Sequence, residues 1–265
     1  MRLKITLFTK EQKPLSFNYH YQFSSAIYLL LKFGSPEFSN FLHNIGYKLN
    51  GKQFKLFSFS LKFEKYKISN SHIIPESPIV FLTISSPKID DFIKNFVIGS
   101  FERQMFYISI GNEEHKFLIK NMELLPDPVY KDEMTFSLSS PMVLSTVKEY
   151  NGKLSPYYLR PSEIDEINRI LSQNLRNKYE IVNNKVSKGN VKIDWDKEYL
   201  NKHSRLTKKI TINEYGRFPV DIIGIQAPFK ITGDPELIRI GYECGFGEKN
   251  SMGFGMAEIG NGYEK

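Results

Sequence analysis

At 265 residues the chain can hold one large domain or two small ones, each with a real core. Its 41% hydrophobic and 25% charged residues are ordinary for a globular protein, and no apolar run approaches the ~20 residues that span a bilayer. The lone Cys244 excludes an intrachain disulfide and any zinc site of several cysteines, while a net charge of +7 with 21 Phe and 15 Tyr points to a polyanion with unstacked bases.

The amino terminus alternates like a strand and lacks the long apolar core of a signal peptide, so a cytoplasmic location is expected. Residues 2–9 place Leu3, Ile5 and Leu7 on one face of that strand. Ser24 and Ser25 are placed to cap a helix carrying Ile27, Leu30 and Leu31, ending near Gly34. Pro36 opens a short helical turn through Phe38, Phe41 and Leu42. Residues 54–63 alternate through Phe57, Phe59, Leu61 and Phe63 and predict a strand, with a second at 78–84. Ser86-Pro87 opens a helix through Ile89, Phe92, Ile93 and Val97 that Gly99 should end. Residues 104–110 and 116–124 read as strands around Gly111-Asn112. Strand, helix, two strands, helix, strand is the split βαββαβ order of ferredoxin-like folds.

Pro126-Asp-Pro128 is the best boundary, so residues 1–125 form one expected domain, 126–131 a linker and 132–265 a second domain. There 134–138 is a strand, Ser162-Glu163 opens a helix through Ile164, Ile167, Ile170, Leu171 and Leu175, and 182–204, with the lone Trp195, is polar and unassigned. Residues 208–213 and 221–230 read as strands, Asp234-Pro235 caps a helix through Leu237, Ile238 and Ile240, and 254–259 is a last strand. The expected fold is α+β, two tandem ferredoxin-like βαββαβ domains.

Between the last helix and the last strand, residues 241–255 (GYECGFGEKNSMGFG) hold five of the chain's 17 glycines. The run does not open a helix, as a dinucleotide fingerprint would, and no Gly-Lys-Ser/Thr closes it as in a P-loop. It closely resembles the carboxy-terminal glycine-rich signature of the CRISPR repeat-cleaving endoribonucleases, the Cas-six family of the RAMP superfamily. A second match runs through Ala26-Ile-Tyr28, Phe41-Leu-His43 and Lys55-Leu-Phe-Ser-Phe-Ser60, where the order tyrosine, histidine, lysine resembles the catalytic set of archaeal members. The resemblance implies two ferredoxin-like domains and metal-independent, sequence-specific cutting of CRISPR repeat RNA in the precursor transcript, with no cofactor. It also implies a link to other CRISPR-associated proteins of an interference complex. A monomer or a homodimer would fit, and a non-catalytic repeat-RNA-binding subunit is the alternative.

Such cutting uses the neighbouring 2′-hydroxyl as nucleophile and leaves a 2′,3′-cyclic phosphate and a 5′-hydroxyl. It needs a base, an acid and positive charge at the crowded phosphorane. Histidine can serve as acid or base near neutral pH, which puts His43 first. Tyrosine is normally protonated at pH 7, so Tyr28 acts as a base only in a shifted environment and otherwise positions the 2′-hydroxyl. Lysine supplies electrostatic stabilisation; Lys55 keeps the Lys-Leu-Phe context and ranks first, Lys52 next, with Lys48 also near. His20, between Tyr19 and Tyr21, is a reserve candidate. His72, His115 and His203 show no ligand spacing, and Asp90-Asp91 and Glu113-Glu114 fall where solvated carboxylates belong, so no metal site is expected. For RNA binding the candidates are Lys208, Lys209, Arg217, Arg239 and Lys249, together with Gly245, Gly247, Gly253 and Gly255, whose amides could cradle phosphate as a nest.

Overall fold

The computed structural model describes residues 1–150, 152–214 and 218–260. Strand β1 (Arg2–Phe8) buries Leu3, Ile5 and Leu7 as the alternation requires. A short strand, β2 (Leu15–Ser16), precedes helix α1 (His20–Gly34). The helix starts a turn earlier than Ser24 and Ser25 suggest and has no side-chain cap. Ser24 is buried within it and donates to the Ser251 carbonyl at 2.8 Å, so its hydroxyl serves a tertiary contact. Helix α2 (Pro36–Asn40) has proline in its first turn and Ser35 as N-cap, accepting from the Phe38 amide. A π-helical turn, Phe41–Ile45, follows.

The expected strand at 54–63 is divided. β3 (Tyr47–Leu49) pairs with β4 (Lys52–Phe54), and β5 starts only at Ser58 (Ser58–Phe63). Between them Leu56 has φ +53°, a left-handed conformation that bulky residues avoid. The turn sends Phe54 and Leu56 into the core of the second unit and Phe57 into that of the first. Alternation identifies such residues as buried but not which core receives them.

Strands β6 (Tyr66–Ser69) and β7 (His72–Pro75) form a small sheet with β2, and β8 (Ile79–Ser85) returns to the main one. After a π-helical turn (Ile89–Ile93), α3 (Lys94–Arg103) continues past Gly99 to a left-handed Gln104. Gly99 is a helix crossing, not a helix end. A Cβ there would lie 1.9 Å from the Leu30 carbonyl oxygen, and one at Gly34 1.9 Å from that of Asn95. Gly99→Val should therefore force α1 and α3 apart and cost about 3 kcal/mol, read as a lower urea midpoint at unchanged slope. Strands β9 (Met105–Ile110) and β10 (Glu113–Leu125) complete an antiparallel sheet of order β5-β8-β1-β10-β9. Without the β9 edge, this is the ferredoxin-like order.

The second unit repeats that order with two hairpins added. It runs β11 (Glu133–Leu138), the hairpin β12 (Ser145–Tyr150) and β13 (Lys153–Tyr158), then α4 (Ile164–Asn183). Next come β14 (Val191–Trp195), α5 (Lys197–Lys202), and the hairpin β15 (Thr207–Ile212) and β16 (Val220–Ile225). Strand β17 (Phe229–Gly233), α6 (Pro235–Cys244), a 3-10 turn (Asn250–Met252) and β18 (Ala257–Ile259) follow. The sheet order is β14-β17-β11-β18. The expected strand at 208–213 is present as β15, and the single strand expected at 221–230 is corrected to two, β16 and β17. Pro228, which has no N–H for a ladder, falls between β16 and β17, and β15 with β16 stands outside the four-stranded sheet. The unassigned stretch supplies the missing strand instead: Val191, Ile193 and Trp195 are buried and alternate with exposed Lys192 and Asp194.

Besides Phe54 and Leu56, further contacts fasten the two ferredoxin-like domains. In one, the Arg2 guanidinium lies 3.3 Å from the Tyr242 ring centroid and donates to the Tyr242 carbonyl, while the Met1 ammonium meets Glu243 at 2.9 Å. In another, α1 meets the 3-10 turn. Among the described residues no helix is long and apolar enough to cross a membrane.

Candidate active site

Helix α1 presents His20, Ser24 and Tyr28 four residues apart, hence on one face. The 3-10 turn docks on this stripe through Ser24 and through His20 Nδ1, 2.9 Å from the Met252 carbonyl. The His20 ring is stacked between Tyr19 and Phe254, with centroids 4.7 and 4.6 Å away. Burial pulls its pKa down to about 4, so at pH 7 it is neutral and Nδ1–H donates to Met252. The reserve histidine is thus an interdomain strut.

At the end of the stripe the Tyr28 ring meets His43 edge-on, centroids 5.2 Å apart, and Phe57 at 5.7 Å. Burial raises the Tyr28 hydroxyl well above its ordinary value, with the Ser251 side chain opposing by hydrogen bonding. At neutral pH the Tyr28 hydroxyl therefore keeps its proton and can donate a hydrogen bond. His43, on the π-helical turn, is exposed, and its Nδ1 lies 2.9 Å from Asn44 Oδ1. An Nδ1–H given to that oxygen leaves the lone pair on Nε2.

Lys55 follows β4, held between the buried Phe54 and Leu56. Its ammonium donates to the carbonyls of Leu42 and, at 2.7 Å, of His43, at the end of the same turn. Two of its N–H bonds are thereby used and a third remains for a substrate. Burial brings its pKa down to about 8. Lys52 is exposed instead and faces Glu248 at 3.7 Å, while Lys48 lies on β3 opposite Gln53. Of the three lysines, Lys55 is the one brought against His43.

The glycine-rich run is tightly built, and most of it is inside. Gly245, Gly247, Gly253 and Gly255 are all buried; the Gly253 amide donates to Asn250 and the Gly255 amide to Pro141. A phosphate nest at these two amides is corrected on that ground. Their positive φ values serve close approach: a Cβ at Gly255 would meet the Phe246 carbonyl oxygen at 2.0 Å. Lys249, itself at φ +57°, is the exposed residue of the run. With Lys52, Lys55, Tyr158 and Ser251 it lines a cleft of about 560 Å³.

Lys208 and Lys209 lie away from this cleft. With Lys62, Arg205 and Tyr66 they line a second cleft of about 530 Å³ between the domains, and Lys209 pairs with Asp221 at 3.0 Å. Arg239 is engaged by Glu236 and by Glu243, at the start of the glycine-rich run, beside the Met1 ammonium. Arg217 lies outside the described residues. Among the described residues, no group of three or more His, Cys, Asp or Glu side chains is placed to hold a metal ion.

Two residues of the site escape sequence reading. Ser251 hides in a polar run, and Lys178 sits among the Ile and Leu of α4, where a lysine ordinarily extends its amine to water. The signal was there in Ser172, Asn174, Asn177 and Lys178, which interrupt the apolar face and are buried.

Paired ferredoxin-like domains, with a tyrosine, a histidine and a lysine gathered beside their junction, define a RAMP-like protein. A family model described as CRISPR associated protein Cas6, C-terminal, matches residues 125–259, and one described as CRISPR-associated protein Cas6, N-terminal, matches residues 14–123. The chain belongs to the Cas6 family. It is 34% identical to CRISPR-associated endoribonuclease Cas6 1 of Methanocaldococcus jannaschii, covering 97% of this chain and 91% of that protein. It is 25% identical to CRISPR-associated endoribonuclease Cas6 of Pyrococcus furiosus, covering 98% and 90%. A solved CRISPR associated protein Cas6 superposes with TM-score 0.75 at 31% identity, over 98% of this chain and 99% of that one. A RAMP protein binding different RNA substrates gives TM-score 0.79 at 26% identity, over 98% and 100%.

Proposed function

We propose that the chain is a metal-independent endoribonuclease that cuts CRISPR repeat RNA, with its chemistry in the first domain and RNA contacts in both. The observation that carries this reading is the convergence of Tyr28, His43 and Lys55 from three separate elements in a protein whose relatives are named endoribonucleases. His43 Nε2 takes the proton of the 2′-hydroxyl as the 2′-oxygen bonds to phosphorus. The Tyr28 hydroxyl, held protonated, positions the 2′-oxygen by a hydrogen bond. The P–O5′ bond breaks, and Lys55, whose lowered pKa suits proton donation, stabilises the phosphorane and protonates the leaving 5′-oxygen. The RNA backbone follows the cleft of Lys62, Arg205 and Lys208, where Tyr66 offers a ring for a base, and Lys249 guards the cleft beside Lys55.

Incubation with the cognate repeat and with a scrambled repeat of the same composition tests the substrate. Single-site cutting of the cognate RNA alone is the expected result; equal cutting of both would show a sequence-independent ribonuclease. Binding without cutting would favour a non-catalytic RNA-binding subunit.

A further inference from the structure

A buried cation stands outside the mechanism just given. Lys178, on α4, is 2% exposed, and its Nζ donates to the carbonyls of Gly245 and Gly247 at 2.7 Å and to Asn250 Oδ1 at 2.8 Å. Three acceptors around one amine require three N–H bonds, which only the ammonium has. Burial draws its pKa down to about 8 against the opposing pull of Cys244 and Glu248, and hydrogen bonds to three oxygens favour the charged form. Asn250 passes the constraint on, its Nδ2 donating to the Phe254 carbonyl at 2.9 Å and the Phe246 carbonyl at 3.4 Å.

A buried lysine is a costly way to fill a core. An ammonium bonded to carbonyls instead fixes where those carbonyls sit. Here the fixed segment ends at Ser251 and Met252, whose carbonyls hold Ser24 and His20 of α1, one and two turns before Tyr28 on the same face. The Ser251 side chain lies near enough to the Tyr28 hydroxyl to oppose the rise in its pKa that burial causes.

We infer that Lys178 is a positioning residue: from α4 of the second domain, through residues 245–252, it sets the Tyr28 hydroxyl in the first. The inference rests on the nuclease reading above. Misplacing a reacting group by about 1 Å can cost 10²-fold. Lys178→Met is therefore expected to slow single-turnover cleavage by about 10–100-fold while repeat affinity changes by less than about threefold.

The test is a cycle of Lys178→Met, Tyr28→Phe and the double variant, with Lys178→Arg beside them. If Lys178 acts through Tyr28, Tyr28→Phe costs little more once Lys178 is gone, and Lys178→Arg recovers part of the rate. Hydrogen exchange should quicken in residues 20–28 as well as in 245–255. Wild-type cleavage by Lys178→Met, or the same Tyr28→Phe factor in both backgrounds, overturns the inference. Should Lys178→Met fail to fold, Ser251→Ala, at a partly exposed side chain, enters the same cycle, with additivity again overturning it. A wild-type protein that binds the repeat without cutting would reject the nuclease reading separately. In that case the exchange measurement decides, and unchanged exchange in residues 20–28 overturns the positioning.

Discussion

Replacing His43 with alanine is expected to slow cleavage of the cognate repeat by about 10²–10⁴-fold while affinity for the repeat stays within about threefold. The split follows from where the residue sits. His43 is exposed on a π-helical turn and touches Tyr28 and Asn44, so its removal leaves no cavity and no buried unpaired group. The basic residues proposed to hold RNA, such as Lys62 and Lys208, lie in the other cleft. Single-turnover rates with saturating enzyme, beside filter-binding constants, separate the two effects. Parallel losses of rate and affinity would mean that His43 holds the RNA and the proton moves elsewhere.

Lys55 carries the second large effect. Lys55→Met is expected to cost about 10²–10³-fold in rate, the range seen when one preorganised charge or donor is removed at a developing oxyanion. The pH profile gives an independent signature. Burial lowers the Lys55 pKa to about 8, so raising the pH through that value removes the proton and the charge from the free enzyme. Cleavage at subsaturating RNA should fall above about pH 8, while the limb at saturation moves higher because bound phosphate favours the ammonium. Unfolding cannot mimic this through Lys55. Its folded pKa lies below the unfolded 10.5, so its contribution to stability rises between about pH 8 and 10.5 and is lost across that range as the pH falls toward 8. A rate profile unchanged by Lys55→Met between pH 7 and 10 would remove Lys55 from the mechanism.

Much of this was legible in the sequence, for local reasons. β1 is an alternating strand, α6 opens on Asp234-Pro235, and the glycine-rich run lies where its spacing suggests, so the ferredoxin-like order can be read twice along the chain. The errors share a cause: tertiary contacts override local signals. Gly99 resembles a helix end because glycine often ends helices, yet it is a crossing point between α1 and α3. Residues 54–63 alternate, but Leu56 turns the chain so that neighbouring residues enter different cores, and that turn carries Lys55 to His43.

The candidate site divides in the same way. Tyr28, His43 and Lys55 could be singled out by type and context. Lys178 and Ser251 show in the sequence only as polar residues in their runs, because what gives them a role lies far off in the chain: the Gly245 carbonyl, 67 residues on, for Lys178, and Ser24, 227 residues back, for Ser251. The glycine-rich run itself changes meaning. In the sequence it looks like a phosphate cradle; in the fold its glycines are buried and its carbonyls face Lys178, Ser24 and His20.

On the proposed reading, these side chains activate the RNA's own 2′-hydroxyl without a metal. One pair of substrates in excess EDTA tests it most directly: the all-ribose cognate repeat, and the same RNA with a single 2′-deoxy nucleotide on the 5′ side of the cut. The all-ribose RNA should yield a 2′,3′-cyclic phosphate and a 5′-hydroxyl, and the deoxy RNA should bind and stay whole. Cutting of the deoxy RNA, or an all-ribose reaction that stops in EDTA and returns with magnesium, would contradict the claim.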